Sequence, residues 1–89
     1  MIQDPKVSVV VVNHNRADLL SRCISSLQNQ TFNPFEILVV DNASTDESRF
    51  MVGAIADPRI LWLPQPINRG FAAANNIGIR AARSSLIAL

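Results

Sequence analysis

The sequence predicts an α/β fold with a mostly parallel, doubly wound sheet and the element order β-α-β-α-β-α-β. Short β-branched apolar runs alternate with segments whose apolar residues recur at helical spacing. The apolar runs have almost no polar face, as in parallel strands that are covered on both sides. Alternation of this kind implies right-handed crossovers between parallel strands. A hydrophobic fraction of 48% with 17% charged residues favours a packed core over disorder.

The first strand and helix occupy the first third of the chain. Residues 7–12 are apolar except for Ser8 and predict the strand. The polar residues 13–16 end it, and an apolar stripe at helical spacing then predicts a helix over about residues 16–28. Asn15 is the predicted N-cap of this helix. Turn formers and a proline at residues 29–34 are expected to close it.

The second and third strands follow in the same manner. Residues 36–41 predict the second strand, an apolar run between Glu36 and Asp41. Ser44 with Glu47 predicts a capping box for a helix that ends near residue 57. Residues 60–63 predict a short third strand. Residues 64–67 are predicted to be loop, because their two prolines break ladders and helices alike.

The last part of the chain predicts a third helix and a fourth strand. Residues 68–83 form the helix with its entry turn, in which several alanines and Gly78 allow a close approach to the sheet. Phe71 is expected to pack in the core. Residues 86–89 begin the fourth strand, and the sequence stops within it. We therefore expect residues 1–89 to be the front part of a larger domain.

Composition excludes several classes of function. A net charge of +1 with scattered basic residues gives no footprint for nucleic acid. Cys23 is the only cysteine, which excludes an intrachain disulfide and a cysteine-based metal site. No apolar run is long enough for a transmembrane segment, and residues 1–6 have no apolar core of a signal peptide. A cytoplasmic location is the expectation.

Polar side chains follow each of the first three strands. The loops at residues 13–16, 41–44 and 64–70 must emerge at one edge of a parallel sheet, where open α/β sheets bind ligands. This crevice suits a ligand with a base, sugar hydroxyls and phosphate, since helix N-termini beside it offer free amides. Asn15 and Ser44 are better explained as helix caps than as ligand contacts, and Asp41 fits either role. Asn75 and Asn76, adjacent amides in an alanine-rich helix, need partners if buried.

Known phosphate and hydrolase motifs are missing from the sequence. Neither G-x-G-x-x-G after the first strand nor G-x-x-x-x-G-K-[ST] is present, which disfavours a dinucleotide site and a P-loop. No G-x-S-x-G elbow presents a serine nucleophile.

Four segments, in order and in register, resemble glycosyltransferase family 2. They are VSVVVVNHNR at residues 7–16, QTF at 30–32, FEILVVDNASTD at 35–46 and NRGFAAANNIGI at 68–79. The resemblance covers about residues 6–89 and is greatest to the rhamnosyltransferase-like branch. It implies the A-type glycosyltransferase fold, whose first half binds the nucleotide of a sugar donor.

The resemblance also implies roles for individual residues. The predicted nucleotide-sugar-binding residues are Val12, Asn13, His14, Asn15, Asp41, Asn42, Ser44, Arg69, Gly70, Asn75 and Asn76. The end of the first strand would line the base and ribose, Asp41 and Asn42 would hydrogen-bond the base, and residues 69–76 would border the diphosphate. Three positions depart from the family pattern, because His14, Asn42 and Asn75 stand where Tyr, Asp and Arg are common.

The family's D-x-D motif, which holds a divalent cation on the diphosphate, is implied to follow residue 89. We therefore expect Mg²⁺ or Mn²⁺ in the full-length enzyme, but no metal-binding or catalytic residue in this chain, which should not turn over alone. The implied donor is a UDP- or dTDP-sugar and the acceptor a saccharide or a lipid-linked saccharide. A peripheral position at the inner face of the membrane is an option for the full-length protein.

Two further hypotheses come from other classes. A receiver-like signalling module would use Asp41 as a phosphoacceptor, but such a site needs further acids after the first strand, where this sequence has Asn13, His14 and Asn15. A poorly covered face or edge of the sheet also predicts self-association of the chain through the last strand or its exposed face.

Overall fold

The computed structural model describes residues 4–30 and 34–89, which form a single parallel sheet with helices on both faces. The elements are β1 Val7–Asn13, α1 Ala17–Gln28, β2 Phe35–Asn42, α2 Ser48–Ile55, β3 Ile60–Gln65, α3 Phe71–Ala81 and β4 Ile87–Ala88. The strand order is β3-β2-β1-β4, and each neighbouring pair is parallel. The predicted doubly wound α/β class is confirmed. The predicted turn at residues 29–34 and the QTF segment lie partly outside the described residues.

The central strand β2 carries the core. All eight of its residues are buried, and its side chains alternate between two apolar clusters. Ile37 and Val39 pack against α1 and α2, whereas Leu38 and Val40 pack against α3. One face of the sheet is therefore covered by two helices and the other by one, which leaves Leu61 on β3 45% exposed.

Gly78 sets the distance between α3 and the sheet. A Cβ atom at this position would lie 3.1 Å from Cγ2 of Val10 and 3.2 Å from Cγ2 of Val40, and closer still to Cγ1 of Val10. Only a residue without a side chain fits at this point of the helix. The beginning of α3 lies at the carboxyl end of β2, where the Asn42 side chain donates to the Gly70 carbonyl.

Both predicted helix caps are wrong. Helix α1 spans Ala17–Gln28, in agreement with the predicted helix, but Asn15 adopts a left-handed backbone conformation with φ of 51° instead of capping it. Helix α2 begins at Ser48, so the capping box of Ser44 and Glu47 does not form. Asp46 takes that role, since its carboxylate accepts hydrogen bonds from the amide and the hydroxyl of Ser48.

Two other predictions fail at the surface. Pro64 and Gln65, predicted as loop, extend β3 and pair with Asp41 and Asn42. An edge strand tolerates proline because it has a neighbour on one side only. Phe71, expected in the core, is 69% exposed at the first position of α3.

Candidate functional site

The loops after β1, β2 and β3 meet at the carboxyl edge of the sheet, as predicted. Asn13 and Asp41 are paired across β1 and β2, and both side chains are buried. The Asn13 amide donates a 2.8 Å hydrogen bond to Oδ1 of Asp41 and a 3.0 Å bond to Oγ of Ser48. The last residue of β1 is thereby fixed to the end of β2 and to the beginning of α2.

Ser44 joins the first two loops. Its hydroxyl donates to Oδ1 of Asp41 at 2.6 Å and accepts the backbone N–H of Asn15 at 2.8 Å, and its own backbone N–H donates to Oδ2 of Asp41 at 3.0 Å. Asp41 therefore accepts hydrogen bonds on both carboxylate oxygens while remaining only 4% exposed.

Asn15 makes the reciprocal connection. Its side-chain oxygen accepts the backbone N–H groups of Thr45 at 2.7 Å and of Asp46 at 3.2 Å. Asparagine tolerates a positive φ better than most residues, and its left-handed conformation accompanies this contact. The predicted helix cap is thus a link between loops.

Asp46 connects the beginnings of two helices. Its carboxylate accepts the N–H of Ala17 in α1 at 3.1 Å and the N–H of Ser48 in α2 at 3.0 Å. The hydrogen bond from the Ser48 hydroxyl is the main cause that lowers the pKa of Asp46 below its ordinary value. Sequence reasoning did not single out Asp46 or Ser48. Residues 44–46 are all good N-caps, so composition does not show which of them caps α2.

The second and third loops are joined through Asn42. Its buried side chain donates a 3.2 Å hydrogen bond to the backbone carbonyl of Gly70. Gly70 is the residue before α3 and has a φ of 94°. Nδ1 of the exposed His14 ring contacts the backbone carbonyl of Asn42. Because a carbonyl only accepts, Nδ1 is the donor in this contact.

The remaining predicted residues border an open surface. Helix α3 has no side-chain cap at Gly70, so its first amides are free to bind an anion. Arg69 and Asn76 are exposed and Asn75 and Val12 are half-buried. Within the described part of the chain, the side chains of Arg69, Asn75 and Asn76 have no hydrogen-bond partner. The predicted residues therefore fall into two groups. The floor of the crevice consists of residues joined by hydrogen bonds, namely Asn13, Asn15, Asp41, Asn42 and Ser44. The rim consists of the polar side chains without such partners, namely Arg69, Asn75 and Asn76.

The floor does not suit the receiver-like alternative. A receiver-type site needs further acids beside its phosphoacceptor, whereas the side chains bonded to Asp41 are those of Asn13 and Ser44. Among the described residues, no group of three His, Cys, Asp or Glu side chains could hold a metal ion.

A parallel sheet with a polar crevice at its carboxyl edge and a free helix N-terminus beside it is an arrangement that A-type glycosyltransferases share with other open α/β folds. Comparison with solved structures identifies the A-type glycosyltransferase class among these folds. The chain superposes on the mannosyltransferase PcManGT from Pyrobaculum calidifontis, solved in complex with GDP-Man and Mn²⁺, with a TM-score of 0.79 and 30% sequence identity, over 90% of this chain and 25% of that one. It superposes on S. aureus TarS 1-349 with a TM-score of 0.85 and 26% identity, over 92% and 26% of the two chains.

The chain belongs to glycosyl transferase family 2, whose family model matches residues 8–89. It is 41% identical over 85 residues to the succinoglycan biosynthesis protein ExoO of Rhizobium meliloti (strain 1021), covering 96% of this chain and 24% of that protein. It is 34% identical over 87 residues to the Escherichia coli UDP-Glc:alpha-D-GlcNAc-diphosphoundecaprenol beta-1,3-glucosyltransferase WfgD, covering 98% and 34%. The chain thus spans about a quarter to a third of the length of these relatives.

No helix within residues 4–30 and 34–89 has both the length and the apolar character that a membrane span requires. The cytoplasmic location stays a prediction.

Proposed function

We propose that the chain is the donor-binding part of a glycosyltransferase that moves a sugar from a nucleoside diphosphate to a saccharide or a lipid-linked acceptor. The observation that carries the proposal is the crevice in which Asn13, Asp41 and Ser44 are joined by hydrogen bonds beside the uncapped N-terminus of α3. Family membership supports it, and PcManGT is described as a complex with a nucleotide sugar.

The floor of the crevice recognises the nucleoside in this proposal. Asp41 uses its carboxylate oxygens mainly to hold Asn13 and Ser44. Oδ2 accepts one hydrogen bond, which leaves room for a donor N–H of the base. The exposed His14 ring, held through Nδ1, offers a face for stacking on the base. Val12 and Asn15 complete the side of the pocket formed by the first loop.

The rim binds the diphosphate. The free amides at the beginning of α3 favour a negative group because the helix dipole adds to their hydrogen bonds. Arg69 adds a positive charge two residues before the helix. Asn75 and Asn76 lie one turn further along and have no other polar partner among the residues described. A divalent cation on the diphosphate would take its ligands from residues other than those described.

The transferred group is a hexosyl or rhamnosyl residue carried on UDP or dTDP. The DNAS and GFAAANN segments that suggest the rhamnosyltransferase-like branch support this choice, and WfgD, a relative, is named as using UDP-Glc.

Calorimetry with UDP-glucose, dTDP-rhamnose and GDP-mannose tests the donor role. We expect one of the first two to bind, and Asn75→Ala to weaken binding by up to about tenfold, the loss of one hydrogen bond. Arg80→Ala, on the exposed last turn of the same helix, should leave affinity unchanged. Binding of none of the three sugars contradicts the proposal, and preference for GDP-mannose contradicts the choice of base.

Self-association is a separate proposal. Strand β4 pairs with Ser8 and Val9 only, so on the side of β1 opposite β2 residues 10–13 have no partner strand in the part of the chain described. Leu86 and Leu89 flank this open edge and are 63% and 72% exposed. We expect a dimer that buries the edge. Sedimentation velocity that finds a monomer at micromolar concentration refutes it.

A further inference from the structure

Strand β2 holds helix α3 at both of its ends. At the carboxyl edge of the sheet, the Asn42 side chain donates to the Gly70 carbonyl immediately before the helix. At the amino edge, the carboxylate of Glu36 accepts the backbone N–H of Arg83 at 2.7 Å, two residues after the helix ends at Ala81. The 11 residues of α3 span about 16 Å between these two contacts.

The contact at Glu36 is buried and directional. Glu36 is 4% exposed, its Oε2 also accepts the Ser8 hydroxyl, and its Oε1 accepts Nε of Arg83 at 3.3 Å. The Ser8 hydroxyl in turn accepts the N–H of Ser84. A displacement of this end of α3 would break several hydrogen bonds together, because a hydrogen bond weakens steeply with distance and angle.

The middle of α3 packs on the sheet through apolar groups. Gly78 lies against the side chains of Val10 and Val40. Apolar packing of this kind is non-directional, whereas the hydrogen bonds at Gly70 and Arg83 fix both a distance and a direction. The polar contacts at the two ends therefore determine where the first turn of α3 lies.

We infer that Glu36 is a positioning residue for donor binding. Its carboxylate holds the far end of α3, and the rigid helix transmits that position to the free amides of its first turn. This inference rests on the proposed function, in which those amides bind the diphosphate. Glu36 lies at the beginning of β2, at the opposite edge of the sheet from the crevice. It therefore acts through α3 and not by contact with the donor.

Two variants of Glu36 separate the length of the side chain from its charge. Glu36→Asp keeps the carboxylate but is shorter by one carbon–carbon bond, about 1.5 Å, so it reaches the Arg83 N–H only if the end of α3 moves. Glu36→Gln keeps the length and one acceptor oxygen for that N–H but loses the charge. Val52→Ala is the control, because it removes core packing on the other face of the sheet and lowers stability without contacting either end of α3.

Amide NMR spectra report on the beginning of α3 without any donor present. The probes are the side-chain amide of Asn42 and the backbone amides of residues 71–74. We expect these signals to shift in Glu36→Asp and to stay close to those of the parent in Glu36→Gln and Val52→Ala. Equal shifts in Glu36→Asp and Val52→Ala overturn the inference, because the signals would then follow stability and not side-chain length.

Arg83→Pro approaches the same contact from the other side and serves if Glu36→Asp does not fold. Proline has no N–H to donate to the Glu36 carboxylate. We expect the signals of Asn42 and residues 71–74 to shift in this variant as well. Unchanged signals in whichever of the two variants folds overturn the inference.

Calorimetry with UDP-glucose and dTDP-rhamnose relates the position of α3 to donor binding. We expect Glu36→Asp to weaken binding of the sugar that the parent binds by about tenfold, the loss of one hydrogen bond. Glu36→Gln and Val52→Ala should bind as the parent does. Unchanged affinity in Glu36→Asp with shifted signals overturns the positioning role. A parent that binds neither sugar contradicts the proposed function instead, while the NMR comparison still decides whether Glu36 sets the position of α3.

Discussion

The Ser8 hydroxyl donates a 2.7 Å hydrogen bond to Oε2 of Glu36, the residue paired with it on the neighbouring strand. Both side chains are buried within the sheet. The same carboxylate oxygen accepts the backbone N–H of Arg83 at 2.7 Å, and the Ser8 hydroxyl accepts the N–H of Ser84 at 3.1 Å. A buried acid thus ties β1 and β2 to the segment that connects α3 with β4.

Replacing Glu36 with glutamine should reduce stability on the order of 2 kcal/mol at neutral pH, because charge-assisted bonds to a buried acceptor are lost. Burial raises the pKa of Glu36, but the hydrogen bonds from Ser8 and Arg83 outweigh it and the pKa is lowered from 4.5. The stabilisation is therefore complete above pH 4.5 and is lost as the pH falls below it.

Urea denaturation of Glu36→Gln and the parent from pH 7 to pH 3 measures this difference. The two free energies of unfolding should converge at low pH. Glu47→Gln, at an exposed position before α2, should follow the parent throughout. A constant gap between Glu36→Gln and the parent across the whole range would show that the carboxylate charge does not matter.

The two glycines in helices should respond to alanine in opposite directions. Gly78→Ala forces a methyl group onto Val10 and Val40, and overpacking of this kind costs about 1–3 kcal/mol. Gly53→Ala meets nothing and should gain about 0.5–1 kcal/mol from helix propensity. Denaturant midpoints of both variants check the signs. Partial rescue of Gly78→Ala by Val10→Ala would identify the clash as the cause, and stabilisation by Gly78→Ala would contradict the close packing.

Asn15 should tolerate neither alanine nor glycine. Alanine lacks the acceptor for the N–H groups of Thr45 and Asp46 and must also adopt a φ of 51°. We therefore expect the free energy of unfolding to fall by about 2 kcal/mol. Glycine adopts this backbone conformation readily but still lacks the side-chain acceptor. The glycine variant should therefore lose about half as much stability as the alanine variant. Thermal unfolding ranks the variants. A glycine variant as stable as the parent would mean that the contact between the loops is not stabilising.

Asp46→Ala should lower Tm by a few degrees at neutral pH, since the first amides of α1 and α2 both lose an acceptor. The pKa of Asp46 is lowered from 3.8, so its contribution is present above pH 3.8 and disappears as the pH falls below it. Thermal unfolding scans of Asp46→Ala and of the parent protein, at pH 7 and below pH 3, measure the difference in Tm with and without the contribution of Asp46. Asp18→Ala, an exposed acid in the first turn of α1, is the control.

Periodicity and strand composition were sufficient to predict the fold. The apolar runs predict β1 and β2, and parallel alternation brings Asn13, Asp41 and the loop before α3 to one edge. Glycine at position 78 indicates close packing, which the structure confirms. These features follow from local sequence and from general rules of chain connection.

The details of the crevice could not be predicted in the same way. Asn15 and Ser44 have the right chemistry to cap the helices beside them, yet each is bonded across to the other loop. Local propensity does not distinguish a cap from a contact made about thirty residues away. Phe71 is apolar, and only the position of α3 relative to the sheet reveals that its ring is exposed.

The bond from Asn42 to the Gly70 carbonyl means that the loops after β1, β2 and β3 act as one mechanical unit. Under the donor-binding proposal, we expect a substitution in one loop to shift the other two and a change of donor preference to require compensating changes in at least two loops. Laboratory selection for a new donor should then yield paired substitutions, one near residue 15 or 44 and one near residue 42 or 70. We expect single substitutions at the floor to lose binding before they gain a new specificity.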